Sequence, residues 1–171
     1  LSDEDRTNSF YGKVGPLWAS IHLAGGFAAK KLKDSDRSDL MAQLDTNVVS
    51  CFLCCRAALK AFGSGGGRIV NVAARPALEP RTGAGMTAYT IAKSGVAALT
   101  VALAEEVAGD GVLVNAVAPS VMDTPVNRKA MPKADHARWP KVEQVAATIL
   151  FLASPENTVT RGAIVPVYGL S

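Results

Sequence analysis

Aromatic residues make up only 6% of this 171-residue sequence, and it holds three cysteines and two histidines. Its charges nearly cancel, with 18 Lys and Arg against 15 Asp and Glu leaving a net charge of +3. Nowhere do the cations gather with aromatics between them, so no nucleic-acid partner is expected. Long hydrophobic runs are missing too. No stretch reaches the roughly 18 apolar residues that cross a bilayer, so no membrane span is expected. The N-terminal Leu1-Ser2-Asp3-Glu4-Asp5-Arg6 is polar and acidic, unlike a secretory leader, and a cytoplasmic protein is the expectation. A starting methionine is absent, which suggests a chain that begins inside a longer reading frame.

The scarce cysteines and histidines point away from metal or redox chemistry. Cys51, Cys54 and Cys55 sit together in one apolar helical stretch. Cys51 and Cys54 form a CxxC, but a redox or zinc site calls for a loop, a helix N-terminus or further ligands. They read as reduced core cysteines. His22 and His136 are far apart and have no partner at metal-ligand spacing, so no metal site is expected.

What is present is a globular composition, 49% apolar and 19% charged, long enough for one domain with a sizeable core. Leu1 to Lys13 reads as the end of a helix and its exit. Leu17 to Leu23 is a short apolar run closed by Ala24-Gly25-Gly26, hence a buried strand and a tight turn. Lys30 to Asp36 is a charged loop. Arg37 to Phe62 has helical periodicity, ended by Gly63-Ser64-Gly65-Gly66-Gly67. Arg68 to Ala73 is a second buried strand, and Arg75 to Gly85 a loop with two prolines and two glycines. Thr87 to Val107 is an Ala-rich helix. Val112 to Val117 is a third strand, and Pro119 to Pro140 a long segment with a short helix near Val126 to Ala130. Lys141 to Ala153 is a third long helix. Ala163 to Val167 is a last strand, which Pro166 assigns to an edge or a strand end. Strands that are continuously apolar and alternate with helices imply an α/β domain, a doubly wound parallel sheet covered on both faces. Such sheets bind ligands beyond the carboxyl ends of their strands, here after Leu23, Ala73 and Val117.

Chemistry enters with Tyr89-Thr90-Ile91-Ala92-Lys93. Residues four apart on a helix project from one face on consecutive turns. Free tyrosine titrates near about pH 10, and a neighbouring ammonium favours the phenolate and draws it toward the working range. A tyrosine that exchanges a proton with an oxygen, tuned by a lysine, suits reversible carbonyl reduction.

Four more segments accompany that pair. They are His22-Leu23-Ala24-Gly25 after the first strand, Asp45-Thr46-Asn47-Val48 in the next helix, Gly67-Arg68-Ile69-Val70-Asn71-Val72-Ala73-Ala74 over the second strand, and Val114-Asn115-Ala116-Val117-Ala118-Pro119-Ser120-Val121-Met122-Asp123-Thr124 over the third. In this order and spacing they resemble the short-chain dehydrogenase/reductase family, from about Leu17 to the end. The resemblance implies a Rossmann-like fold and an NAD- or NADP-dependent oxidoreductase acting on a small-molecule alcohol or carbonyl. It makes Tyr89 the general acid/base. Lys93 would hold the nicotinamide ribose and lower the tyrosine pKa, and Asn47 would hold the water that relays protons to Lys93. Ala24 and Gly25 would lie along the cofactor, bordered by Pro119, Ser120, Val121 and Thr124. It also implies a homodimer or homotetramer built through the Arg37–Phe62 and Thr87–Val107 helices, with Val96, Ala97, Leu99, Thr100, Leu103 and Ala104 as a close-packing face. Covering the sheet would require the same apolar face.

The sequence departs from the family in three places. The family's catalytic serine falls at Ala73 or Ala74, neither of which donates a hydrogen bond, with Thr82 or Thr87 as conceivable stand-ins. His22 replaces the first Asn of the turn. No glycine-rich phosphate turn is present, because Gly63–Gly67 follows a helix and precedes a strand, the reverse of such a turn. Residues 1–171 are therefore expected to form a single domain lacking the N-terminal phosphate-binding βαβ part. Dihydropteridine reductases also lack the serine, and Ala24-Gly25-Gly26-Phe27 and the segment from Asp123 to Asp135 resemble theirs. A pterin is reduced at nitrogen, where a donor to an alkoxide matters less. A non-catalytic dinucleotide-binding or assembly protein on the same fold is the alternative.

Overall fold

The computed structural model describes residues 1–171. Its core is a four-stranded, wholly parallel sheet in sequence order: β1 (Ala19–His22), β2 (Gly67–Val72), β3 (Val112–Pro119) and β4 (Ile164–Val167). The registers pair Ile21 with Val70, Val70 with Asn115, and Val117 with Val165. α1 (Glu4–Tyr11) precedes β1. α2 (Arg37–Gln43) and α3 (Ser50–Ala61) join β1 to β2. The short α4 (Arg75–Leu78) and the long α5 (Thr87–Glu106) join β2 to β3. α6 (Pro125–Ala130) and α7 (Val142–Ala153) lead to β4.

Both faces of the inner strands β2 and β3 are covered, which is why these two lack alternation, whereas the edge strand β1, expected to be buried throughout, alternates and leaves Ile21 exposed. On one face Ile69 and Val114 pack with Cys51, Cys55 and Ala58 of α3 and with Val96, Leu103 and Ala104 of α5. On the other, Val70 and Val117 pack with Val145, Leu152 and Ala153 of α7. Adjacent residues of one strand thus serve opposite cores.

Several expectations are corrected in detail. Arg37–Phe62 is not one regular helix, because a π-helical turn, Leu44–Val49, separates α2 from α3. Inside it the Asn47 side chain donates to the Gln43 carbonyl at 3.0 Å, supporting the widened turn. Arg75–Gly85 is not a plain loop: α4 is followed by a 3₁₀ turn at Pro80–Gly83. Pro76 and Pro80 stand in first-turn positions, where a missing N–H does no harm. β3 runs on to Pro119, carrying its end further than the apolar run suggests. Pro166 does lie on an edge strand, opposite Ala118. α5 is long and apolar enough by length and composition to cross a membrane, contrary to the reading by apolar runs. Here it packs Ala92, Lys93, Val96, Thr100, Leu103 and Ala104 inward over the sheet.

Candidate active site

Because all four strands run the same way, their carboxyl ends lie along one edge, bringing together the segments after His22, Val72, Pro119 and Val167. α5 lays its first turns over this edge. Tyr89 and Lys93 occupy consecutive turns, with the Lys93 Nζ 5.9 Å from the centre of the tyrosine ring. Lys93 is buried and donates to the Val72 carbonyl at the end of β2, at 2.8 Å. The Tyr89 ring meets Phe27, from the turn after β1, edge to face at 5.0 Å between centroids.

Asn47 faces the same space. Its side chain grips the turn after β1, accepting from the Gly26 N–H at 3.2 Å and donating to the Gly26 carbonyl at 3.1 Å. Gly25 lies between this amide and the lysine. A Cβ there would stand 2.8 Å from Asn47 Oδ1 and 3.3 Å from Lys93 Nζ, so the absence of a side chain is what lets these two groups pack so closely on the turn. Tyr89, Lys93, Asn47 and Gly25 are thus brought together, with Ala24 exposed beside them.

The segment after β3 forms a separate wall. Pro119 is buried at the strand end, and the Ser120 hydroxyl donates to the Tyr168 carbonyl at 3.0 Å. Val121 is exposed, and Thr124 caps α6 by accepting from the Asn127 N–H at 3.2 Å. These bonds are local and do not reach Tyr89, Lys93 or Asn47. Ala73 and Ala74 are buried just after β2. The exposed Thr82 hydroxyl donates to the Glu79 carbonyl at 2.8 Å.

The electrostatics amend one expectation. Burial pushes the Tyr89 phenol above its ordinary value. Burial also lowers the Lys93 ammonium to about 8, with a smaller opposing pull from Cys51. In this geometry desolvation outweighs any help the lysine gives the phenolate, and Tyr89 stays protonated at neutral pH.

Two features escaped the sequence. The anchor of Lys93 is a main-chain carbonyl, which no residue type signals. His22, without a partner at ligand spacing in sequence, is set by the fold against Cys51 and Cys55, with the three ligand atoms within 4.8 Å of one another.

Comparison with known proteins bears on the family of the chain. The family model described as Enoyl-(Acyl carrier protein) reductase matches residues 4–169. The chain is 29% identical to the 3beta-hydroxysteroid dehydrogenase of Mediterraneibacter gnavus, over 96% of this chain and 71% of that protein. It is 32% identical to the (2S)-[(R)-hydroxy(phenyl)methyl]succinyl-CoA dehydrogenase subunit BbsD of Thauera aromatica, over 96% of this chain and 67% of the relative. Further relatives are spanned less fully, the mouse 3-oxoacyl-[acyl-carrier-protein] reductase to 60% of its length. Among solved structures, ElxO with NADP bound superposes with a TM-score of 0.88 at 25% identity, covering 98% of this chain and 74% of that one. The family match reaches nearly from end to end, over residues 4–169, and on that breadth the chain belongs to the short-chain dehydrogenase/reductase family.

Proposed function

We propose that this chain carries the catalytic centre of an NAD- or NADP-dependent oxidoreductase in which Tyr89 is the general acid/base. The observation that carries the reading is the clustering of Lys93 and Asn47 against Gly25, with Tyr89 on the next turn beside Lys93. Gly25 is exposed and carries no side chain, so a dinucleotide can approach its backbone from solvent and bring the nicotinamide end beside Tyr89 and Lys93. Bound there, the dinucleotide supplies or accepts the hydride. Lys93 spends one ammonium hydrogen on the Val72 carbonyl and keeps two for ribose hydroxyls. Asn47 Oδ1 stands on the same side of Gly25 as Lys93 Nζ, where a water it holds would pass protons to Lys93. Ala24 and Gly25 let the ligand approach the backbone, and Pro119, Ser120, Val121 and Thr124 form its far border. Tyr89, kept protonated by burial, is suited to give its phenolic proton to a substrate oxygen in the reductive direction. Phe27 holds the ring from the side.

Ala73 and Ala74 supply no hydroxyl to a carbonyl or alkoxide. A small carbonyl or alcohol suits a Tyr89 proton donor, and a planar substrate of pteridine type, reduced at nitrogen, is the finer alternative, for which a donor to an alkoxide matters less. The same alanines motivate a second reading, a dinucleotide-binding or assembly protein without turnover. Hydride transfer measured with NADH and NADPH against carbonyls and quinonoid pterins separates the two. Turnover that is lost in Tyr89→Phe supports the enzyme. Dinucleotide binding without turnover on any substrate supports the second reading, and full activity in Tyr89→Phe overturns the role of Tyr89.

The assay belongs on the natural gene product. The glycine-rich pyrophosphate turn is proposed to lie in a longer form of the protein, and an intact mass above 17.8 kDa would support that. A homodimer or homotetramer through α2–α3 and α5 is proposed from the exposed Phe52, Ile91 and Val101 on those helices. Light scattering that returns a monomer would remove it.

A further inference from the structure

We propose that His22, Cys51 and Cys55 form a buried site for a soft divalent cation, zinc in the first instance, beside the proposed cofactor turn. The proposal starts from placement. His22 ends β1, while Cys51 and Cys55 stand four apart on α3 and share one helix face. It is this pair, not the CxxC of Cys51 and Cys54, that the fold aims at the histidine. All three side chains are buried, and their ligand atoms lie within 4.8 Å of one another.

Tetrahedral zinc with bonds of about 2.3 Å to sulfur and about 2.0 Å to nitrogen sets neighbouring donors about 3.5–3.8 Å apart. Cys55 Sγ and His22 Nδ1 are already 3.6 Å apart. Closing the cluster therefore needs a contraction of about 1 Å at most. Asn71 supplies an oxygen at the fourth side, with its Oδ1 2.8 Å from His22 Nδ1 and 3.6 Å from Cys55 Sγ.

Charge and hydrogen bonding agree with this assignment. Two thiolates, a neutral imidazole and an amide oxygen leave a dication with no net charge, the condition under which ions are tolerated in an apolar interior. With Nδ1 on the metal, Nε2 must carry the proton. Ser20 Oγ stands 2.9 Å from Nε2 and Tyr11 Oη 3.3 Å from it, and the two hydroxyls are 2.8 Å apart. Hydroxyls accept as readily as they donate, so this pair serves either tautomer and orients the ring for ligation. The bound ion would clamp α3 to the end of β1, one residue before Leu23-Ala24-Gly25.

The test is a cobalt titration of the full-length protein after chelation and reduction, followed in the ultraviolet and visible. The expected result is a thiolate-to-cobalt charge-transfer band with tetrahedral d–d bands, saturating at one Co2+ per chain and displaced by Zn2+. Cys55→Ala and His22→Asn should each lose that spectrum, and Cys54→Ala should keep it. A wild-type protein that develops no thiolate band, or a band unchanged in Cys55→Ala, overturns the proposal. The wild-type titration decides the matter even where a variant fails to fold.

Discussion

Two buried polar clusters flank the turn after β1, and they are bonded in different ways. Around Gly25, Lys93 and Asn47 are held mainly by main-chain groups: the Val72 carbonyl, both polar groups of Gly26 and the Gln43 carbonyl. Next to it runs a chain of side chains, in which Tyr11, Ser20, His22, Asn71 and Thr100 bond one to the next across β1, β2 and α5. The first arrangement leaves ammonium hydrogens to spare at an open strand edge. In the second, most partners are side chains of the same run, with the Thr100 hydroxyl donating in addition to the Val96 carbonyl at 2.8 Å, and the run locks helices to sheet. A cluster anchored to backbone keeps ammonium hydrogens for a ligand, while the side-chain run holds the fold in register and, at His22 and Asn71, sets out donors of the proposed cation site.

The comparison breaks most sharply at Tyr89. Tyr89→Phe keeps the ring against Phe27 and removes only the phenolic hydroxyl, so turnover should fall by about 10²–10⁴-fold with thermal stability unchanged. A fall in stability of similar weight to the fall in rate would move Tyr89 to the structural side of the comparison.

The next effect is a pH dependence carried by Lys93. Its ordinary value is 10.5, and burial lowers it to about 8 in the folded chain. Below about pH 8 both folded and unfolded chains hold this proton, and stability is flat on its account. Between about 8 and 10.5 the unfolded chain holds the proton and the folded chain does not, so stability rises with pH. Urea unfolding of wild type and Lys93→Met should therefore diverge in favour of wild type across that window, by about 2–3 kcal/mol. Subtraction removes the titration of the cysteines and tyrosines common to both. Curves that stay parallel would show that Lys93 is not desolvated.

Gly25→Ala sharpens the open side of the comparison. Its methyl group meets Asn47 Oδ1 at 2.8 Å, and the required shift should destabilise by about 1–3 kcal/mol while weakening dinucleotide binding. Unchanged affinity would remove Gly25 from the binding edge. On the closed side, Thr100→Val keeps the shape but leaves the Asn71 amide hydrogen without its 2.9 Å partner. A loss of about 1–2 kcal/mol in chemical denaturation, with activity retained, is expected. Lost activity at native stability would instead couple the two clusters.

Sequence patterning was enough for the strand and helix order, since continuous apolar runs are what a sheet covered on both faces demands. It was also enough to put Tyr89 and Lys93 on one helix face, because helical spacing is a local property. The π-helical turn at Leu44–Val49 was not legible there. It depends on the bond from Asn47 to Gln43 and on the grip of Asn47 on Gly26, 21 residues away in sequence. The raised Tyr89 phenol was likewise out of reach, because desolvation is set by what packs around a group rather than by its neighbours in the chain.

The residue identities by themselves determined the alternation of elements, the parallel sense of the sheet and the Tyr–Lys pair. Each of these follows from short-range periodicity and excluded conformations. Only the tertiary structure decided that Lys93 rests on the Val72 carbonyl, that Gly25 borders both Asn47 and Lys93, and that His22 meets Cys51 and Cys55. Those contacts join residues 21 to 68 positions apart, and their distances exist only once the sheet has brought the strand ends to one edge.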